Sequence, residues 1–250
     1  MAVNPGLALE AGLAAALVGG LAVGGCTYAA LWPASRMFGR ALTAPRNPAD
    51  GPGQLALTFD DGPNPRWTPQ LLEILAKHEV RATFFLVGKY AATQRDLVRR
   101  MHQAGHLIGN HTWTHPNLAL TSQRQTREEL ANTTAELEAI TGGPIRYFRP
   151  PFGARRPATL QIARELGLVP VLWNAMAEDW KATSPDQVTP RMAKLIERHQ
   201  RQGYATNLVL HDGGHLTLDA MRSASVAAAG QIVERYRPSH RFVTLDAWES

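Results

Sequence analysis

The sequence predicts an α/β fold: a distorted (β/α) barrel with about seven parallel strands, preceded by an N-terminal hydrophobic helix. Three observations predict it. From Gln54 onward, short apolar runs bounded by Gly, Pro or Asn alternate with longer amphipathic stretches, about seven β–α units in about 200 residues. Aspartates and histidines fall directly after apolar runs, and in parallel α/β folds chemistry collects at the C-terminal ends of strands. Ahead of these units, no charged residue occurs from Ala11 to Trp32, and the uncharged stretch runs on to Ser35. A doubly wound open sheet satisfies the first two observations and is the alternative.

The bulk numbers narrow the classes. With 44% hydrophobic and 19% charged residues, 250 residues form a folded chain with one sizeable core. The net charge of +5 comes from scattered basic residues such as Arg95, Arg99, Arg100, Arg124 and Arg127. Scattered charge describes a solvated surface, and no basic block of nucleic-acid type is present. Cys26 is the single cysteine, so any metal must be held by histidine and carboxylate.

Taken in order, residues 1–35 read as a membrane-anchor segment. The length suffices for about 20 apolar residues across a bilayer. The pairs Gly19-Gly20 and Gly24-Gly25 weaken it as a helix, and no Lys or Arg precedes it as in a secretory leader. Residues 36–53 read as a linker, Pro/Gly-rich from residue 43, and residues 54–250 as one domain. Within that domain Leu55–Phe59 is an apolar run stopped by Gly62-Pro63. Thr68–His78 is a helix with Leu71, Leu72 and Leu75 on one face. Ala82–Val87 is a strand, Asp96–Ala104 a helix and His106–Gly109 a strand. Ser122–Thr141 is a long helix ended by Gly142-Gly143-Pro144. Tyr147-Phe148 is a short strand, Pro157–Leu166 a helix and Leu168–Trp173 a strand. Ser184-Pro185-Asp186-Gln187 reads as a capping box opening a helix with Val188, Met192, Leu195, Ile196 and His199 on one face. Leu208–Leu210 is a strand, Leu218–Tyr236 a helix and Phe242–Leu245 a last strand.

The chemistry-bearing residues then sort themselves. Asp60 and Asp61 end the first strand, and adjacent carboxylates repel unless their roles are separated. A metal separates them by making one a ligand and leaving the other free for a proton. His111-Thr-Trp-Thr-His115 offers two imidazoles four residues apart, with Pro116 favouring a loop over a helix. With one aspartate they form a two-histidine, one-carboxylate set that suits catalytic zinc, or iron, manganese or cobalt. His211, ending a strand, is the candidate acid, and His215, beyond Gly213-Gly214, is a lower-ranked competitor for acid or ligand. Arg149 opens the rigid loop Pro150-Pro151-Phe152-Gly153, where a guanidinium pins a carboxylate. The Phe152 N–H is the first free backbone donor after two prolines and a candidate for an oxyanion. Trp67, Trp113, Phe152 and Trp180 are the aromatic side chains that are candidates for the site.

On these motifs the chain resembles the polysaccharide deacetylases of the NodB-homology type, carbohydrate esterase family 4. The matching pieces are Thr58-Phe-Asp-Asp-Gly-Pro63, His111-Thr-Trp-Thr-His115, Arg149-Pro-Pro-Phe-Gly153, Asp179-Trp180 and Leu210-His211-Asp212, spread over residues 54–247. The resemblance implies a distorted, incomplete (β/α) barrel. It implies Asp60 as general base oriented by Arg149, and Asp61, His111 and His115 as ligands of a divalent metal, zinc first, with cobalt, nickel, manganese or iron as alternatives. It further implies His211 as general acid tuned by Asp179. Pro151 and Phe152 belong to the oxyanion loop, Trp180 and Leu210 line the acetyl pocket, and Trp113 lies near the substrate. Two departures stand out: Phe152 where the family usually has Tyr, and Val209 where it usually has Leu. The implied substrate is an N-acetylated glycan. The rival readings are an amidase of the same fold on a lipid-linked sugar and a non-catalytic glycan-binding module. The expected location is membrane-anchored with the domain outside the cytoplasm, although Arg36, Arg40 and Arg46 after the anchor argue for the opposite side.

Overall fold

A computed structural model describes residues 39–49 and 51–249. The expected N-terminal hydrophobic helix and membrane anchor over residues 1–35 lie outside the described residues. Within the described residues, no helix is long and apolar enough to cross a membrane.

Among the described residues eight strands form one sheet: β1 (Gly53–Gly62), β2 (Thr83–Leu86), β3 (Leu107–Asn110), β4 (Tyr147–Phe148), β5 (Val169–Pro170), β6 (Ala175–Met176), β7 (Thr206–His211) and β8 (His240–Val243). The helices are α1 (Trp67–Lys77), α2 (Gly88–Thr93), α3 (Arg95–Gln103), α4 (Gln123–Thr141), α5 (Pro157–Glu165), α6 (Thr189–Arg201) and α7 (Ser223–Tyr236). The path runs β5-β4-β3-β2-β1-β7-β6, and every pairing is parallel. β8 pairs with Gly53–Ala56 of β1, on the edge that β2 takes over from Thr58. Seven strands on one path agree with the expected count, in a half-barrel whose end strands β5 and β6 do not pair.

Alternation along the strands decides what faces where. Leu55, Leu57 and Phe59 of β1, Phe84 and Leu86 of β2, and Leu208 and Leu210 of β7 point outward into one large core under the helices. The intervening positions point inward. Ala56 and Phe85, together with Tyr147, Val171, Ala205, Val243, Leu245 and Trp248, form a second cluster that fills the barrel from the strands' N-terminal side. Above it the inward positions turn polar: Thr58 and Asp60 on β1, His211 on β7. The barrel is thus packed at the bottom and open for chemistry at the top.

Several elements differ from expectation for local reasons. The predicted strand Leu168–Trp173 is cut short: only Val169–Pro170 forms β5 at one side of the sheet, the chain crosses the seam, and β6, at positions where no strand is expected, joins β7 on the other side. Much of the expected linker is packed on the domain. Leu42 N donates to the Pro170 carbonyl and Leu172 N to that of Leu42, each at 2.8 Å, while Ala205 N reaches the Pro45 carbonyl at 3.0 Å. Residues 42–47 therefore form a strap across the seam that β5 and β6 leave open. Ser184 caps no helix; Gln187 turns back to accept from Thr183 N, and α6 begins at Thr189. A capping box is formed instead by Ser122 with Gln125, at the start of α4. The last helix begins at Ser223, because residues ahead of it are held as a loop, Ala220 O accepting from Asn64 and the Arg222 guanidinium donating to Gly213 O.

Candidate active site

Two adjacent residues on a strand face opposite sides, yet Asp60 and Asp61 both reach the cavity. The pairing of β1 with β2 slips between Asp60 and Gly62, so Asp61 occupies a bulge, with φ of +68°. The bulge turns its carboxylate back toward the one before it. Five of the six described non-glycine residues with positive φ are Asp61, Thr112, His115, Phe152 and Glu178, all in the loops that build this cavity. Backbone strain of this kind is held only where the surroundings over-determine it.

Asp60 is gripped by Arg149, which is fully buried. Arg149 Nη1 donates to Asp60 Oδ1 at 2.8 Å and to Thr58 Oγ1 at 2.7 Å, and Nη2 donates to Asn207 Oδ1 at 3.3 Å. Its guanidinium lies 4.2 Å from the Phe85 ring centre. Burial pulls the guanidinium's pKa down, and the Asp60 charge opposes that. Asn207 donates in turn to the Thr43 and Leu172 carbonyls at 2.9 and 2.8 Å. The strap is thereby tied to the residue that orients Asp60.

The loop after β3 is equally constrained. Asn110 Oδ1 accepts from Thr112 N at 2.8 Å, its amide donates to the Leu130 carbonyl, and Thr112 Oγ1 accepts from His115 N. His111 Nδ1 sits 2.7 Å from the Arg149 carbonyl, so it carries the proton and leaves Nε2 as a lone-pair donor. His111 Nε2 is 3.4 Å and His115 Nε2 3.0 Å from Asp61 Oδ1. A third imidazole, His215, places Nδ1 3.7 Å from Asp61 Oδ2. Burial alone would raise the pKa of Asp61, but the facing imidazoles of His111, His115 and His215 hold it well below the usual carboxylate range. Burial lowers that of His115, the larger effect, against the pull of Asp61.

This donor set fits a divalent cation. Asp61 Oδ1 and His115 Nδ1 are buried without a hydrogen-bond partner. A buried carboxylate oxygen in that state calls for positive charge. Imidazole nitrogens with one carboxylate are the ligands that zinc and its first-row neighbours take.

On the opposite wall, β1 and β7 are in register so that Asp60 and His211 are direct Cα partners. Asp179, in a 3-10 turn, accepts from His211 Nδ1 at 2.9 Å, from His211 N at 2.7 Å and from the Ser225 hydroxyl. That fixes the tautomer, so Nε2 is the ring atom left for the cavity. Burial works against the charged ring, but the Asp179 charge and hydrogen bond prevail and raise the His211 pKa to about 9. Trp180 sets its ring edge-on at 5.0 Å from His211.

The cavity between these walls has a volume of about 340 Å³, within the range of small-ligand sites. Asp60, Asp61, His111, His115, Phe152, Trp180 and His211 line it. Arg149 and Asp179 sit one layer behind, each on the residue it orients. Leu210 is a correction: it shares strand parity with Leu208 and is buried in the outer core, and Val209 lines the cavity instead. Trp113 is a second correction, since its ring packs at Gly88 and Thr133 and does not line the cavity. Pro151 is buried and shapes the turn without lining the cavity. Phe152 projects its ring to the rim, half-exposed, and its amide hydrogen-bonds to no described residue. Trp173, Met176 and Arg222, which also line the cavity, carried no sequence signal. Nor did Asn207. His215 was visible only as a histidine near the end of a strand.

Residues 47–171, half of the chain, match the sequence model of a family described as polysaccharide deacetylase. The chain is 34% identical over 215 residues to a peptidoglycan-N-acetylglucosamine deacetylase of Bacillus cereus, spanning 83% of this chain and 71% of that protein. It is 35% identical over 172 residues to a chitooligosaccharide deacetylase of Sinorhizobium fredii, spanning 68% and 77%. Among solved structures it is similar, with a TM-score of 0.71 and 32% identity, to a peptidoglycan N-acetylglucosamine deacetylase in complex with 4-naphthalen-1-yl-N-oxidanyl-benzamide. That likeness covers 83% of this chain and 91% of the other.

Proposed function

The chain belongs to the polysaccharide deacetylase family, and on that premise we propose that it removes N-acetyl groups from amino sugars of a glycan, releasing acetate. The observation that carries the reading is the β1–β7 register. It sets a carboxylate held by a permanent cation directly beside an imidazole held protonated by a buried carboxylate. A hydrolysis of an amide needs that pair: an acceptor for the proton of water and a donor to the departing amine.

Asp61, His111 and His115 are the residues that would hold a divalent metal, zinc in the first instance. Such an ion supplies Lewis acidity, which polarises an acyl carbonyl and lowers the pKa of water. The protein's own groups do the rest. Asp60, fixed by Arg149, takes the proton from water as it attacks. The Phe152 N–H, presented by a left-handed turn, donates to the developing oxyanion. His211 Nε2 delivers its proton to the sugar nitrogen and becomes a neutral imidazole, still hydrogen-bonded through Nδ1 to Asp179. Val209, Trp173, Met176 and Trp180 provide apolar surface for the acyl methyl. Acetate release by the full-length protein from N-acetylglucosamine oligomers and from peptidoglycan, with and without a chelator, tests this. Metal-dependent release is the expected result; no release from either glycan by metal-loaded protein would refute it. A tether through residues 1–35 to the outer side of a membrane belongs to the same proposal, and protease accessibility of the domain on intact cells tests that part.

A further inference from the structure

The third imidazole beside Asp61 is better explained as a ligand than as a neighbour. We propose that His215 is an additional metal donor, making the centre a three-imidazole, one-carboxylate site. The inference rests on the deacetylase reading only in supposing that a divalent metal is held here at all.

Three observations carry it, the first being the geometry of the donors themselves. The donor atoms of Asp61, His115 and His215 lie within 4.8 Å of one another, the span that donors on one ion occupy. The two carboxylate oxygens are shared out: His115 Nε2 faces Oδ1 at 3.0 Å and His215 Nδ1 faces Oδ2 at 3.7 Å. The His115 and His215 rings stack with centroids 4.4 Å apart and planes 19° from parallel, so both are oriented together.

The second observation is that the His215 ring has no other polar partner. Among the described residues its nitrogens make no hydrogen bond, although only 34% of the side chain is exposed. Its backbone, by contrast, is anchored: the carbonyl accepts from Tyr90 Oη at 3.0 Å and from Lys89 Nζ at 3.4 Å, both on α2.

The third is the path that brings it there. A Cβ on Gly213 would lie 2.1 Å from the Asp61 carbonyl oxygen, and one on Gly214 would lie 2.5 Å from Ala220 Cβ. The loop therefore runs directly against the backbone of Asp61, at a separation that a side chain on Gly213 would forbid. From there it turns His215 back over the carboxylate. Phe152, edge-on to His115 at 4.7 Å and to His215 at 5.4 Å, closes the outer side of both rings.

A two-histidine, one-carboxylate centre leaves several positions open. A further imidazole takes one of them and adds a donor that must be displaced before the ion escapes. Removing a residue that merely supports a metal ligand costs about 10–100-fold in affinity, so removing a direct donor should cost at least about tenfold. The rival account is a ring that covers the ion by stacking without binding it.

The test compares the full-length protein with His215→Ala and His215→Phe, the latter keeping a stacking ring without a nitrogen. Zinc affinity is read by competition with a chromogenic chelator, and coordination by the visible spectrum of the cobalt(II)-loaded protein. The proposal expects both variants to bind zinc at least about tenfold more weakly and both to change the cobalt spectrum. If His215→Phe keeps the wild-type affinity and spectrum, the ring is a cover and the proposal is overturned. His115→Ala is the control. If it too binds zinc as tightly as the unmodified protein, the metal reading itself fails, a different result from failure at His215 alone.

Discussion

The two walls of the cavity each hold a buried carboxylate against a cationic partner, and they differ in what that partner is able to do. On the β1 side Asp60 faces Arg149, which is fully buried, spread over three acceptors and fixed against two aromatic rings. A guanidinium does not surrender its proton, so this pair fixes position and a permanent charge. On the β7 side Asp179 faces His211, whose ring keeps 14% of its side-chain surface exposed and whose pKa is raised to about 9. An imidazole does give up its proton, so this pair is able to hold one and release it. The same carboxylate chemistry thus yields a positioned acceptor on one wall and a loaded donor on the other, and the difference lies in the partner.

Breaking the acceptor wall should have the largest effect. Asp60→Asn keeps the shape but removes the proton acceptor, and general-base loss costs about 10²–10⁴ in rate. Steady-state acetate release measures it, and an unchanged kcat would remove Asp60 from the role. Arg149→Met tests whether that wall is structural. It leaves a buried carboxylate without its counter-charge, a change that costs about 3–5 kcal/mol and that urea unfolding would report. A variant of native stability would show that the two walls do not differ as described.

The donor wall should show itself first in the dependence on pH. His211 is protonated below about 9, so activity should hold on the alkaline side up to that value and fall above it. Asp179→Asn removes the charge that raises the pKa while the burial that lowers it remains. The alkaline limb of kcat/KM should therefore move to lower pH. The linkage has the matching sign: stability contributed by the charged pair is full below the ordinary 6.5 and is lost as pH rises through about 9. A limb that stays in place in the asparagine variant would assign it to another group. The smallest effect is expected behind the first wall. Asn207→Ala deletes hydrogen bonds from the strap and from Leu172 and should cost about 1–3 kcal/mol of stability, read by thermal unfolding, with a smaller loss of kcat than Asp60→Asn.

Much of this arrangement was legible in the sequence, because strands announce their ends. Asp60, His111, Arg149 and His211 each follow an apolar run, and the topology rule places such residues at one rim. What was illegible depends on geometry that composition does not encode. Nothing in Phe59-Asp60-Asp61-Gly62 says that a bulge turns both carboxylates the same way. The assignment of Leu210 to the pocket ignored parity with His211, which Val209 shares and Leu210 does not. Trp113 lies between His111 and His115 in sequence, but the positive-φ residues Thr112 and His115 on either side send it outward to Gly88. The strap read as a linker because prolines and glycines mark irregular backbone equally well whether it is free or hydrogen-bonded. His215 ranks low in the sequence because it lies past Gly213-Gly214, whereas those glycines are what lets the loop touch Asp61.

The strap also changes what it means to shorten or pull on this protein. A fragment beginning at residue 49 would omit the backbone that meets Pro170, Leu172 and Ala205, together with the Thr43 carbonyl that receives Asn207. It would leave Asn207, the acceptor for Arg149, with one anchor fewer. For the intact chain, tension entering ahead of residue 39 would meet the Arg40 carbonyl, which accepts from Arg164, and then Leu42 and Thr43. From Thr43 it passes through the Asn207 amide to Arg149, so the N-terminal attachment of this domain is mechanically continuous with Asp60.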